Sequence, residues 1–571
     1  MFRRVIQIAC LAVFAWLFFH VCCPYPAEPV LEPRGVPSHY ADSLTHKERL
    51  LPAETFLMLD PTVALAASIA ERHWNSCIIG AVLVIVICLL VPRGFCGYVC
   101  PLGTMIDLTD KMLGKVTGKL RRFVFPRKTT RRPLADSHAV LWRHFKYVLL
   151  GVTFAAAICG VSLAGYVAPI PMVTRAFVFL FAPIQTAWYC GWYQVPPPNA
   201  GVMISVMLFA GILLLGLLQR RFWCRYLCPS GALLSLVGLV RVFGRKVDMQ
   251  KCNGCSRCVT SCTFAAIPSD NISVSLTDCV TCLECKSLCP QGAISFGLNN
   301  QASDTAVPIV VPELTWQRRR FFQVMLFGIT GFFSILIVRA WNAFTNPHDN
   351  LIRPPGSVPE EIFLKRCVRC GECLHACPND ALQPCAMEFG ETRMWTPRLM
   401  PDWSGCEPSC NNCGRVCPTG AIRALPLEEK RACIIGLAVI DRETCLPLAG
   451  KEECRLCYDE CKTAGYDAIE FMRVGTEVDE SGMPIEDSGF LAPVILPEKC
   501  VGCGLCQTRC RAINAVQKKL LRESAIVVIV GEGREDRILT GSYRDLRKKE
   551  KTNNIALPET PEDDYLPDFL Q

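Results

Sequence analysis

No C-x-x-C-H motif occurs in these 571 residues, so the chain has no attachment site for a c-type haem. It has no recognisable nucleophile–base pair and no glycine-rich phosphate loop, which leaves acyl and phosphoryl transfer without their usual machinery. Its basic residues flank apolar runs, and the net charge is a modest +8. That pattern excludes a nucleic-acid-binding surface. Also missing is the irregular cysteine spacing of a disulfide framework. The chain has 37 cysteines, and one spacing recurs among them, which points to metal centres. Hydrophobic residues make up 51% and mean hydropathy is +0.27, values that imply membrane segments.

Five apolar stretches approach the length needed to cross about 30 Å of hydrocarbon: 5–23, 76–91, 147–167, 202–218 and 321–340. The stretch 171–194 is apolar and aromatic but interrupted by prolines. It reads as interfacial or re-entrant, with an extra span as the alternative. Lys and Arg cluster at residues 3–4, 93–146, 220–246 and 318–320. All four clusters fall on one side if the N-terminus is inside and the C-terminal region outside. The first span lacks a small-x-small site before its double cysteine, which favours a retained anchor over a cleaved signal peptide.

These signals divide the chain into a membrane domain (1–247), an inner soluble segment (248–315), a signal anchor (316–344), an outer segment (345–552) and a polar acidic tail (553–571). The tail reads as disordered, the alternative being a docking tail for a basic partner. The expected fold is a polytopic α-helical membrane domain joined to α+β bacterial-type two-cluster ferredoxin modules, one inner pair and two outer pairs.

The inner segment holds two C-x2-C-x2-C-x3-C runs. In this spacing three close cysteines hold one [4Fe–4S] cluster and the fourth ligates the other. The expected sets are Cys252, Cys255, Cys258 with Cys289, and Cys279, Cys282, Cys285 with Cys262. A structural zinc site is the bland alternative, and two complete runs argue against it. Outside, the same crossing rule pairs Cys367, Cys370, Cys373 with Cys417, and Cys406, Cys410, Cys413 with Cys377. A looser pair follows: Cys445, Cys454, Cys457 with Cys510, and Cys500, Cys503, Cys506 with Cys461, where Cys433 rivals Cys445. Six clusters strung along a chain imply electron transfer.

Arg318 and Arg319 open a pattern of adjacent arginines, two phenylalanines and an apolar run. It has the form of a twin-arginine export signal, suited to a domain that must leave the cytoplasm with its clusters already built. The bland reading is a positive-inside flank. Two C-x3-C-P motifs, with Cys96, Cys100, Cys224 and Cys228, sit at the inner ends of spans like repeats of one unit. They imply a further metal centre or a redox-active thiol set, or else proline-directed turns with packed thiols. His20 and His73 sit at outer span ends, where they could ligate haem, contact a quinone by hydrogen bonds, or simply be interfacial. Cys10, Cys88 and Cys159 read as packing residues.

Residues up to about 300 resemble NapH-type membrane ferredoxins in the four-span layout, both C-x3-C-P motifs and the two-cluster segment. Residues 316–530 resemble NapG-type exported ferredoxins in RRRFF, RPPGSVPEEIFLKRCVRCGECLHACP and the four-cluster pattern. The resemblance implies a natural fusion with a quinol dehydrogenase role. Electrons would leave the membrane quinone pool for a periplasmic reductase, nitrate reductase being the best-known client, or for a multihaem cytochrome. The expected location is the bacterial inner membrane. Cys262, Cys461 and Cys510 lack the Cys-Pro ending, a departure from the pattern. An alternative of another class is a maturation factor resembling copper reductases or nitrous-oxide-reductase maturation proteins. The inner and outer clusters are expected to stand about 30 Å apart, which leaves a gap in any single path.

Overall fold

The computed structural model describes residues 2–21, 40, 51–124, 138–240, 242–267, 274–275, 277–298, 350–476, 488–531 and 533–556. The fifth expected span, the Arg318–Arg319 signal, Cys22, Cys23 and most of the acidic tail lie outside these residues.

An apolar helical bundle forms first. Its main helices are α1 (Phe2–Val21), α2 (Pro61–Glu71), α3 (Cys77–Leu90), α4 (Pro101–Val124), α5 (His138–Ile158), α6 (Pro169–Cys190), α7 (Ala200–Leu214) and α8 (Pro229–Val237). By length and composition α1, α6 and α7, the last with its 3-10 extension to Leu217, are each capable of crossing a membrane, while α3 and the apolar part of α5 are shorter. Large apolar side chains face outward along the bundle, among them Ile79, Leu83, Met203 and Met207.

The stretch expected to be broken by prolines is one continuous helix, α6. Pro169 and Pro171 stand in its first turn, where a missing N–H costs nothing, and the one proline beyond that turn is Pro183. The segment expected to run on to residue 167 stops at Ile158. Gly160, with φ +79, turns the chain there. The Ala-rich helix α2 is 11 residues long, far short of a span. It packs through Ala66 and Ala70 on Ala157 of α5 and Ala164.

Two ferredoxin-like modules dock on the bundle. The first closes with strands β1 (Phe243–Val247) and β2 (Ile294–Leu298), paired antiparallel. The C-terminal module contains three antiparallel two-stranded sheets. They are β3 (Leu382–Pro384) with β4 (Pro397–Leu399), β5 (Leu437–Ile440) with β8 (Ile526–Ile529), and β6 (Ile469–Val474) with β7 (Phe490–Ile495). Glu360 ties this module together. Its carboxylate receives Arg353 at 2.7 Å, Arg537 at 3.0 Å and Arg393 at 3.1 Å. Burial alone would raise the pKa of Glu360, yet the three guanidiniums hold it down at about 2.

Opposite ends of the bundle receive the two modules. At one end Arg3 of α1 lies 3.6 Å from Glu284, Lys146 of α5 pairs with Asp278 at 3.0 Å, and the Tyr98 hydroxyl donates to the Thr281 carbonyl. At the other, Phe18 of α1 stacks on His375 with ring centroids 4.0 Å apart. Arg175 of α6 is fully buried, donates to the Arg369 carbonyl at 3.0 Å and lies 3.8 Å over the Trp395 ring. Such a desolvated cation–π contact contributes about 2 kcal/mol. The Trp395 indole donates to the Gly201 carbonyl, and Asn199 donates to that of Pro384. From Arg3 to Phe18, α1 rises about 22 Å.

Candidate functional site

The four runs with standard spacing share one backbone shape. The residue before the second cysteine and the residue after it both take positive φ: Gly254 and Ser256, Thr281 and Leu283, Arg369 and Gly371, Gly502 and Gly504. Two left-handed residues around one cysteine curl the chain so that three thiols face a common centre. Glycine removes the strain where space is also short: a Cβ on Gly504 would stand 2.7 Å from Pro401. Short helices then carry the third cysteine and present the fourth at their ends: Arg257–Ser261, Glu284–Leu288, Glu372–His375 and Leu505–Cys510. The two runs with a lengthened first gap, at 406–417 and 445–461, have no such pair of left-handed residues.

The quartets assemble in the crossed pattern that the spacing suggests. One cavity is lined by Cys252, Cys255, Cys258 and Cys289. Cys262, Cys279 and Cys282 lie within electrostatic reach of Cys285. Cys367, Cys370, Cys373 and Cys417 line a second cavity, and Cys406 and Cys410 surround Cys413 together with Cys377. Further cavities are lined by Cys445, Cys454, Cys457 and Cys510, and by Cys461, Cys500, Cys503 and Cys506. Cys433 is absent from the Cys445 cavity and lies against Tyr543 and Asp536 instead.

The chemistry of these donor sets suits iron–sulfur clusters. Burial pushes the thiols of Cys285, Cys410, Cys457 and Cys503 up to about 12, so they remain protonated and inert unless a metal takes the thiolate. Among the described residues no three His, Cys, Asp or Glu side chains stand at the spacing of a single metal ion. Backbone N–H groups point at the sulfurs: Ala266 at Cys262, Ile422 at Cys417 and Ala468 at Cys461, at 3.3 to 3.4 Å.

Some functional positions escape a reading by motif. Where Cys510 lacks its proline the helix winds on, and buried Asn514 turns its amide toward Cys454 at 3.6 Å and Cys510 at 3.8 Å. His375 lies between Cys373 and Cys377 in sequence, is 2% exposed, and burial pushes it down to about 3. It is a neutral ring held against Phe18. Its signal was its place inside a cysteine run. Of the two histidines singled out by sequence, His20 stacks on Trp16 and His73 is exposed beyond α2. The four C-x3-C-P cysteines come together, Cys100 beside Cys96 and Cys224, and Cys228 beside all three others. Cys88 is buried, while Cys10 and Cys159 are partly buried.

Residues 76–121 and 201–249 match a family described as a 4Fe-4S binding domain, and residues 360–383 match another with the same description. The methylamine utilization ferredoxin-type protein MauM of Methylophilus methylotrophus is 32% identical over 187 residues, which cover 31% of this chain and 74% of that protein. MauM of Methylorubrum extorquens is 31% identical over 201 residues, covering 34% and 84%. The ferredoxin-type protein NapG of Escherichia coli is 35% identical over 162 residues, covering 28% and 65%. No solved structure matches. The chain belongs to the family of 4Fe-4S ferredoxin-type proteins that includes MauM, and iron–sulfur electron transfer is its chemistry.

Proposed function

We propose that this ferredoxin-type protein is a membrane-bound electron-transfer subunit that passes electrons from the quinol pool toward a periplasmic acceptor, either a reductase of the nitrate-reductase kind or a multihaem cytochrome. The observation that carries the reading is the set of six crossed cysteine quartets in two modules on opposite ends of one apolar bundle. The twenty-four quartet cysteines hold the clusters. A [4Fe–4S] cluster bound in such a quartet supplies one-electron redox chemistry.

The surrounding residues do the rest. Val368, Phe363 and Ala421 wall the Cys367 quartet from water. Arg245 stands 3.8 Å from the Cys258 sulfur and offsets its negative charge. The apolar outer faces of α3 and α7 suit contact with lipid, and the basic clusters favour the first module inside and the C-terminal module outside. Arg318 and Arg319 direct export of the latter. His20 and His73 are the proposed quinone contacts; His20 sits two residues from Phe18, the residue stacked on His375.

The test is anaerobic. The detergent-purified protein should contain about twenty-four iron atoms or more, at least four per quartet, and quinol should produce reduced-cluster EPR signals. A full iron content with no response to quinol would remove quinol as the donor.

A further inference from the structure

The four quartets of the C-terminal module stand in a fixed order. Val368 and Arg369, in the loop of the Cys367 quartet, lie against Gly165 and Arg175 of the bundle. Cys413 of the Cys406 quartet lies within electrostatic reach of Cys373. The Cys406 N–H donates to the Cys503 carbonyl at 2.7 Å, which brings in the Cys500 quartet. Cys457 in turn lies within electrostatic reach of Cys506. The order outward from the bundle is therefore the Cys367, Cys406, Cys500 and Cys445 quartets, and the set of Cys445, Cys454, Cys457 and Cys510 ends it.

This last quartet has a side chain that the cysteine motif does not require. Cys262, Cys289 and Cys377 stand at or just beyond the ends of their helices. Beyond Cys510 the chain instead continues as a π-helix, Arg511–Gln517, a form common at functional sites. The wider turn brings Asn514 to the cavity that the four cysteines line. The backbone holds it there. The Asn514 carbonyl accepts from the Leu520 N–H at 2.8 Å and from that of Leu521 at 3.1 Å, and Lys519, with φ 57, turns the chain back. Asn514 is 2% exposed, and its Nδ2 stands 3.6 Å from Cys454 Sγ and 3.8 Å from Cys510 Sγ. One amide thus spans two ligands of one quartet, one from each cysteine run. Bound to iron, those sulfurs are thiolates that accept and cannot donate, so the amide presents its NH2 group to them. Its Oδ1 has no partner among the described residues.

We infer that Asn514 raises the reduction potential of the outermost cluster by donating its two amide protons to Cys454 and Cys510. The inference rests on the proposed function and deepens it, because this quartet is where electrons leave the chain. A cluster that takes up an electron becomes more negative, and its sulfurs become stronger acceptors. Donors fixed at the sulfurs therefore stabilise the reduced form more than the oxidised form. In the step concerned the cluster at the Cys500 quartet is oxidised by one electron and that at the Cys445 quartet is reduced by it. No bond forms or breaks, and both amide protons stay on nitrogen. Asn514 acts through the two cysteines and is a positioning residue.

An anaerobic redox titration of the full chain, followed by EPR with iron content checked, tests this. The component of this quartet is the one lost in Cys457→Ala. Asn514→Leu, similar in volume but without a donor, should lower the reduced-to-oxidised ratio of that component about tenfold at a fixed potential, a shift of about 59 mV for one electron. The other components should stay in place, and Val516→Ala, an exposed position on the same π-helix, should move none. An unmoved component in Asn514→Leu with full iron would overturn the inference and leave the proposed function standing. A wild type from which Cys457→Ala removes no component would count against both. Should Asn514→Leu lose the cluster, the wild type decides: pulsed EPR after 15N labelling of asparagine side chains should show a weak nitrogen coupling to that component, and its absence would overturn the inference.

Discussion

Gly165 sits in a short helix, Ala164–Val167, between α5 and α6, and its backbone packs on the C-terminal module. A Cβ at this position would stand 2.4 Å from the Val368 carbonyl oxygen and 2.7 Å from its carbon. Ordinary contacts begin near 3.4 Å, so Gly165→Ala forces the two backbones apart by roughly 1 Å, at a cost of about 1–3 kcal/mol. Val368 lies between Cys367 and Cys370, and the hydrogen bonds nearby join Arg175 to Arg369 and Arg369 to the Ser162 carbonyl. The displacement therefore loosens docking at the quartet nearest the bundle without touching a thiol. The assay is stopped-flow absorbance after a reductant is given to the first module, with cluster content checked beforehand. Gly165→Ala should keep its full iron and slow the reduction of the C-terminal clusters at least several-fold. Gly151→Ala on α5, where a Cβ meets nothing within 4 Å, should behave as wild type. Wild-type transfer in Gly165→Ala would refute the docked arrangement.

Other outcomes follow from the same geometry. Cys367→Ala or Cys500→Ala should abolish delivery to an external acceptor while the first module stays reducible, as followed by EPR and acceptor turnover. Glu360→Gln should destabilise the C-terminal module by about 3 kcal/mol at neutral pH, because the carboxylate titrates near 2 when folded instead of near 4.5. A depressed folded value stabilises above about 4.5 and loses that contribution as the pH falls toward 2. The variant, read by denaturant-driven cluster loss, should therefore differ most from wild type at pH 7 and least in strong acid. Arg318→Lys with Arg319→Lys should leave the C-terminal module on the inner face, as shown by protease accessibility in intact cells; normal accessibility would point to another export route.

The cysteine runs were legible because ligand spacing is a local property: each quartet needs only a short loop, and two adjacent runs complete each other. The left-handed residues were half legible. Gly371 and Gly504 announce them, whereas Thr281, Leu283 and Arg369 adopt the same conformation without a signal in composition. The role of α2 was hidden, because an 11-residue helix is too short to register as a span and its meaning lies in what its two ends touch. Prolines in 171–194 suggested a break, yet Pro171 sits in the first turn of α6, where helices accept it, and the helix runs on through Pro183. The lone Arg175 in an apolar stretch was visible as an anomaly, but its partners, Arg369 and Trp395, come from a module about two hundred residues away in sequence. Arg93 and Arg221 read as part of a basic flank, and only the fold shows them crossing between two motifs.

Vectorial reduction tests the central claim most directly. The protein is placed in sealed vesicles with the first module facing out, an impermeant reductant is added outside, and an impermeant acceptor is trapped within. Electron transfer through one docked chain predicts that every cluster is reduced and that the trapped acceptor then takes up electrons. Reduction confined to the two quartets of residues 252–289, with the acceptor untouched, would contradict it.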